Sequence, residues 1–489
     1  MSYKKFGFVL GPLLFALVHF HFAGDGLSEE GRDILAATLW IGVWWVFEVI
    51  PIAATALLPI ILFPLLGSIS LSDTTASYGH KYVFLYMGGF MLAIAMEKWG
   101  LHKRIALHII RAIGTNMYTI VLGFMVATAF LSMWISNTAT TVMVLPMAIS
   151  IVKQLKDSPN TLKDENELFG KLMMLGIAYA ASIGGIATLI GTPPNLVFAG
   201  FVQEAYGVDI SFWQWMKFGV PVASVLLVLA WLYLTRLAYP LEEVRFPGGK
   251  KEINRLLVEL GPMGKEEKMV LFVFVLTAFC WITRSFLLQN LIPGIDDTII
   301  AIGSAILLFI IPANGKGRPL IQWDEALGIP WGIILLFGGG LAIAKGFQDT
   351  GLDLYLGGQM TFFDGFSLFG VLLLVVASIN FLTEITSNLA TTAMMLPVLA
   401  PLAVSLQVDP FILMVACTVA ASCAFMLPVA TPPNAVVFGA GYLRIPEMVR
   451  SGFFMNMVSI VLMTLAVYFL LPLVMDFPDG MDRIDVQLD

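Results

Sequence analysis

Apolar residues fall in long blocks free of charge, and polar residues are gathered into the stretches between them. Phe6 to Ala23, Phe218 to Thr235 and Phe453 to Met475 are such blocks, and Met269 to Leu288 is interrupted only by Arg284. A helix needs about 20 predominantly apolar residues to cross the hydrocarbon of a bilayer, so each block predicts a span. Leu35 to Leu66 is a merged run whose internal boundary the pattern does not define. Counted along the chain, the blocks predict one leading helix, then about five spans plus a re-entrant segment in each half, or about 11 transmembrane helices in an all-α polytopic membrane protein.

The longest polar interruption, Arg236 to Lys268, separates halves of similar size. It holds Glu242, Glu243, Arg245, Lys250, Lys251, Glu252, Arg255 and Glu259, and reads as a solvated amphipathic helix at the membrane interface. The expected division is a leading helix over 1–30, a first repeat over 31–238, a polar linker over 239–268 and a second repeat over 269–489. The halves match on a shift of about 250 positions. Gly88-Gly89, Leu92-Ala93-Ile94-Ala95 and Gly100-Leu101 pair with Gly338-Gly339, Leu341-Ala342-Ile343-Ala344 and Gly351-Leu352. Ser136-Asn137-Thr138-Ala139-Thr140-Thr141 pairs with Ser387-Asn388-Leu389-Ala390-Thr391-Thr392, each closed by a Leu-Pro at Leu145-Pro146 and Leu396-Pro397. Thr192-Pro193-Pro194-Asn195 pairs with Thr431-Pro432-Pro433-Asn434. Three motifs in one order imply a duplication, and an odd number of spans per repeat would invert one copy relative to the other. Secondary transporters are built this way, with the substrate site at the repeat interface.

Composition agrees with lipid as the solvent. The chain is 58% hydrophobic and 12% charged, with mean hydropathy +0.87, against about 45–50% and 25% for soluble domains. A net charge of −7 gives a nucleic acid no basic surface to bind. Cys280, Cys417 and Cys423 have neither disulfide nor metal spacing, and His19, His21, His80, His102 and His108 read as surface or interface residues. The many Met and Phe residues read as lipid-facing filler. Lys4 and Lys5 before the first block suggest an uncleaved helix, and with Lys98, Lys103 and Arg104 they favour the cytoplasmic side of a bacterial inner membrane.

The chemistry lies in the matched motifs. Ser132, Ser136, Asn137, Thr138, Thr140 and Thr141 sit between Arg111 and Lys153 in a stretch without a charged residue, and Thr383, Thr386, Asn388, Thr391 and Thr392 repeat the pattern. Each Pro-Pro must break a helix, and backbone opened at membrane depth is tolerated only where it is buried or lines a cavity. Gly184-Gly185 with Thr192 to Asn195, and Ala430 to Asn434, are therefore expected discontinuities. Helix N-termini at a break favour an anion, while opened carbonyls and Ser or Asn oxygens suit a hard cation such as sodium. An Asn amide can serve both. No Arg or Lys lies in the four motifs, so anion binding would depend on bound cations. Glu48 and Glu384 are acids in apolar surroundings and functional candidates by default; Glu48 reads equally as a cap before Pro51. No nucleophile–base pair or metal cluster points to an enzyme or an organic cofactor.

These residues, with Trp44-Trp45-Val46-Phe47-Glu48-Val49-Ile50-Pro51, resemble over nearly the whole chain the divalent anion/sodium symporter family, the INDY-type di- and tricarboxylate transporters. The resemblance implies a homodimer whose protomers each have a scaffold and a transport domain, inverted repeats with two re-entrant hairpins, and an elevator motion. It implies a first sodium site from Ser132, Ser136, Asn137 and a carbonyl near Gly185, and a second from Thr383, Thr386, Asn388 and the Ala430 carbonyl. The substrate would lie between them against Asn137, Thr138, Asn388, Thr431 and Pro432. Leu389 stands where the family pattern has Thr, so one hydroxyl donor to the anion is missing. The expected function is sodium-driven uptake of a C4 dicarboxylate such as succinate, malate or fumarate. Alternatives are a tricarboxylate or sulfate carrier or an exchanger of the same fold and, in another class, an anion channel.

Overall fold

The computed structural model describes residues 3–114, 116–156, 163–240, 247–313, 317–359 and 365–475. Glu242, Glu243 and Arg245 of the polar interruption lie outside the described residues. Nearly all the rest is helix; the strands among the described residues are Pro312–Ala313 and Arg318–Pro319, paired antiparallel with Pro312 opposite Pro319. The protein is an all-α polytopic membrane protein. Seven helices among the described residues are long and apolar enough to cross a bilayer, and five shorter apolar helices of 10–17 residues accompany them. Three of the short ones, Met117–Ser132, Leu368–Leu382 and Pro410–Ala421, end where the polar motifs open the backbone.

The first of the long helices, Tyr3–His21, is only 11% buried. It packs on Glu29–Phe47 through Gly7 and Gly11, where an added Cβ would strike Phe47 and Trp44. Glu29–Phe47 stops at Glu48, which has φ 44° and donates its backbone N–H to the Trp44 and Trp45 carbonyls. A non-glycine residue in the left-handed region is uncommon; here it turns the chain before Pro51, and the Trp45 indole donates to Ile52 O across the turn (3.2 Å). The Glu48 side chain is exposed.

Matched helices of the two halves run in opposite directions. Lys98, at the end of Lys81–Lys98, pairs with Glu325 (2.6 Å), which precedes Trp331–Asp349. At the other ends Glu204 lies 4.0 Å from His80 and 3.7 Å from Lys345. Lys163–Ile186 continues after a break as Pro193–Tyr206, and Pro410–Ala421 as Pro432–Gly439. Tyr206 meets Phe411 (5.4 Å between rings), so the end of one broken helix lies at the start of the other. A helix pair, Met117–Ser132 with Asn137–Lys156, packs on Lys163–Ile186, and its counterpart, Leu368–Leu382 with Asn388–Ser405, packs on Pro410–Ala421. Pro193–Tyr206 of the first half packs on Asn388–Ser405 of the second, and Pro432–Gly439 of the second on Asn137–Lys156 of the first. This crossed packing brings all four motifs into one region.

The structure corrects several sequence expectations. Met and Phe are not mainly lipid-facing: Met125, Met173, Met174, Phe124, Phe169, Phe198 and Phe411 are fully buried, because close packing between short, kinked helices calls for large and adaptable side chains. His102 is buried and bonded to Met96 O (3.0 Å). The polar interruption is not uniformly solvated. In its helix Pro247–Glu259, Glu252 is buried and accepts from Ser150 (2.5 Å) and Arg255. Beyond it, buried Glu267 takes a two-pronged bond from Arg104 (2.5 and 3.0 Å). Buried carboxylates persist because they are paired. Gly184 and Gly185 lie in the last turn of Lys163–Ile186 rather than in the break, which runs from Ala187 to Thr192.

Candidate functional site

Each half builds the same construction from a helix pair and a broken helix. In the first, Ser132 ends one helix and Asn137 begins the next. The Ser132 hydroxyl donates to Ala181 O (2.7 Å) on the broken helix. The end of the Asn137 amide lies 2.5 Å from Ser132 Oγ, 3.2 Å from Ala181 O and 3.2 Å from Gly191 O. All three neighbours can accept. Either the amide turns its NH2 toward them, or its oxygen joins them around a cation; oxygens this close repel unless a proton or a metal ion lies between them. Gly185 is part of the same contact, since a Cβ there would stand 2.9 Å from Asn137 Oδ1 and 3.1 Å from Gly191 O. In the second half Thr383 takes the place of Ser132, its single O–H shared between Asn388 Oδ1 (2.8 Å) and Ala421 O (2.9 Å).

The remaining proposed ligands divide. Ser136 accepts from Ala139 N (3.2 Å), capping Asn137–Lys156. Thr386 is held in its own turn by Leu382 O (2.8 Å) and Thr391 Oγ1 (2.6 Å). Neither is hydrogen-bonded to the Asn clusters. Thr138 and Asn388 are half-buried at helix starts, Pro432 is exposed beside the buried Ala430, and Thr431 is buried and caps its helix by accepting from Asn434 N (3.3 Å). Leu389 is buried in the first turn of Asn388–Ser405.

Sequence reasoning missed how the breaks are held. Asn195 is fully buried, and its NH2 gathers Gly185 O (3.1 Å) and Thr188 O (2.7 Å). Asn434 does the same for Leu427 O (3.0 Å) and Ala424 O (3.3 Å). The signal was present: an Asn at the third position of a helix opened by Pro-Pro, in both halves. Thr188 adds a bond to Met133 O (2.5 Å) in the first break. In the second, Glu384 accepts from three successive backbone N–H groups.

Two cavities flank the region at opposite ends. The larger, about 530 Å³, is lined by Lys103, Met143, Pro146 and Glu259 and reaches Ala139, next to Thr138; the smaller, about 240 Å³, is lined by Tyr206, Asp353, Pro397 and Pro401.

A family model described as "Sodium:sulfate symporter transmembrane region" matches residues 6–475. A sodium-dependent dicarboxylate transporter, SdcS, of Staphylococcus saprophyticus is 47% identical over 472 residues, 95% of this chain and 91% of the relative. The protein of the same name from Staphylococcus aureus is 46% identical over 475 residues, 96% and 91% of the two chains. Among solved structures, the Alcanivorax borkumensis YdaH transporter shares the fold at TM-score 0.59 and 16% identity, covering 88% of this chain and 97% of that one. With the paired motifs held within one helical membrane fold, the match over residues 6–475 settles the family: this chain is an integral-membrane transporter belonging to the sodium:sulfate symporter family.

Proposed function

We propose that the protein is a sodium-coupled symporter that imports C4 dicarboxylates such as succinate, malate or fumarate across a bacterial plasma membrane by alternating access. The observation that carries this reading is the cluster of acceptor oxygens around Asn137, repeated in form at Thr383 and Asn388. Relatives at 46–47% identity carry the name sodium-dependent dicarboxylate transporter. One sodium is held by Ser132, Asn137 and the Gly185 region with Ser136 near by, and the other by Thr383, Asn388, Thr386 and the Ala430 carbonyl. The anion sits between them against Asn137, Thr138, Asn388, Thr431 and Pro432, with Leu389 shaping the second end of its pocket.

The opposed directions of matched helices support inverted repeats over 31–238 and 269–489, joined by the 239–268 linker and preceded by the helix of 1–30. The two helix pairs serve as re-entrant hairpins among about 11 spans. Unequal cavities at the two ends support access from the Lys103 side in this state, which the positive-inside rule makes cytoplasmic. A scaffold and a transport domain, an elevator motion and a homodimer complete the reading; cross-linking in native membranes tests the dimer.

Uptake of labelled succinate into proteoliposomes, with an inward sodium gradient and with potassium in its place, is the test. Accumulation only with sodium supports symport, whereas sodium-independent uptake requiring internal succinate makes the protein an exchanger. Sulfate is the second reading, favoured by the family's own description: sodium-driven uptake of sulfate but not succinate selects it.

A further inference from the structure

We propose that Glu384 is a positioning residue of the second cation site: its carboxylate acts as an internal anion that shapes the second helix break before any ion arrives. This rests on the sodium-coupled reading and extends it to an inequality between the two sites. Glu384 is 3% exposed. One of its oxygens accepts from Phe425 N (2.7 Å), Met426 N (2.9 Å) and Asn456 Nδ2 (2.8 Å), and the other from Leu427 N (3.0 Å). Accepting four hydrogen bonds and donating none is the pattern of an ionised carboxylate, and no cationic side chain pairs with it among the described residues. Consecutive backbone N–H groups form an anion-binding concavity. Here a side chain of the same protein fills it.

The placement gives this arrangement its consequence. Glu384 follows Thr383, whose hydroxyl joins Asn388 to Ala421 O, and precedes Thr386 by two residues. Its carboxylate holds the N–H side of the break while Asn434 holds the C=O side, at Ala424 O and Leu427 O. The hairpin tip and the break are thereby locked as one unit, with a negative charge buried beside the proposed cation ligands. The first half lacks this device. Met133 occupies the position matching Glu384, counted from Ser132 and Thr383, and contributes only its carbonyl to Thr188. The second break is therefore held by a carboxylate beside the proposed cation ligands, whereas the first is held by neutral amide and hydroxyl groups alone.

The test is sodium-dependent succinate uptake in proteoliposomes of wild type, Glu384→Gln and Asn456→Ala. Gln keeps the size of the side chain but removes the charge and replaces one acceptor oxygen with a donor. The half-saturating sodium concentration should rise roughly tenfold in Glu384→Gln, as expected for loss of charge-assisted bonds, and by about threefold in Asn456→Ala. At saturating sodium the KM for succinate should stay within about twofold of wild type. A purely structural role would lower the amount of active protein and the maximal rate, leaving the sodium curve in place; that result overturns the proposal. If Glu384→Gln does not fold, Asn456→Ala decides by the same readout. Wild-type uptake indifferent to sodium would sink the symporter reading itself, a result separate from unchanged mutant curves under sodium-dependent uptake.

Discussion

Gly185→Ala should separate folding from sodium coupling. Gly185 lies in the last turn of Lys163–Ile186, where alanine suits the backbone better than glycine by roughly 0.5–1 kcal/mol. The new methyl would stand 2.9 Å from Asn137 Oδ1, 3.1 Å from its nitrogen and 3.1 Å from Gly191 O. Carbon contacts are comfortable from about 3.5 Å, so the Asn137 amide must retreat by roughly half an ångström. The Asn137 amide end moves most, the Gly191 carbonyl must give by a few tenths of an ångström, and the added strain, about 1–3 kcal/mol for overpacking, offsets the helix gain. A metal ligand tolerates only about 0.2 Å. The thermal midpoint in detergent should therefore stay within about 3 °C of wild type, while half-saturating sodium for succinate uptake rises about tenfold, equivalent to about 1.4 kcal/mol. Gly303→Ala, where the added carbon meets nothing within 4 Å, is the control. A sodium curve that overlays the wild type would refute the Asn137 cluster as a cation site; a collapse in thermal stability would make Gly185 a packing residue instead.

Asn137→Ala and Asn388→Ala should each abolish uptake of every anion tested, and normal transport by either would remove that residue from the site. Gly184→Ala should fail to accumulate in the membrane, because its Cβ would lie 2.2 Å from Ala129 O on a packed helix; immunoblots of membrane fractions check this. Asn195→Ala leaves two buried carbonyls without their amide donor, at about 1–3 kcal/mol for each unmade bond, and should lower the thermal midpoint measurably. Arg255 and Ser150 hold the Glu252 carboxyl below the ordinary carboxylate range. A carboxylate whose pKa is lowered by folding adds stability above its unfolded pKa, near 4.3, and loses it as pH falls through the folded value. The thermal midpoint of wild type should therefore drop more steeply below about pH 5 than that of Glu252→Gln, and parallel curves would show that Glu252 contributes nothing at acid pH.

The paired polar motifs were readable because duplication repeats a signal that one copy would carry only weakly. Asn137 and Asn388 stood out as costly guests in apolar stretches, and the structure sets each beside a helix-terminal hydroxyl that also bonds an Ala carbonyl. Harder to read was what each polar atom faces. Ser136 and Thr386 have the right chemistry for cation ligands but bond within their own helix ends, and a hydroxyl at a helix start reads the same either way. Asn195 and Asn434 were visible as motif members, yet their partners are carbonyls seven to ten residues back across a break. Glu384 bonds backbone 41 to 43 residues away, and Glu252 meets Ser150 across the linker. Backbone partners leave no residue type behind in the sequence, so burial and hydrogen bonding at these positions emerge only from the fold.

The absence of Lys and Arg from the four motifs has a physical role under the proposed function. Four helices begin at the motifs, at Asn137, Pro193, Asn388 and Pro432, and four end there, at Ser132, Ile186, Leu382 and Ala421. Each start carries about half a positive unit charge and each end about half a negative one. The starts suit an anion and the ends suit cations, but the eight sum to nearly nothing. A fixed guanidinium would hold a dicarboxylate without sodium and let the substrate be carried, or left behind, uncoupled. With balanced dipoles and the Glu384 carboxylate already bound by four donors, a dianion entering alone brings its full desolvation cost into a low-dielectric site, and a sodium ion alone does the same on a smaller scale. Two sodium ions and one dianion together are neutral, and that loaded state is the one a membrane carrier can move at least cost. Coupling then follows from the wiring of the site rather than from a separate gate. Introducing one lysine at Leu389, which the proposed function sets at the second end of the anion pocket, should accordingly permit succinate binding without sodium and lower sodium-driven accumulation. Sodium-independent binding that fails to appear in Leu389→Lys, in protein that still folds, would show that neutral dipoles are not what enforces coupling.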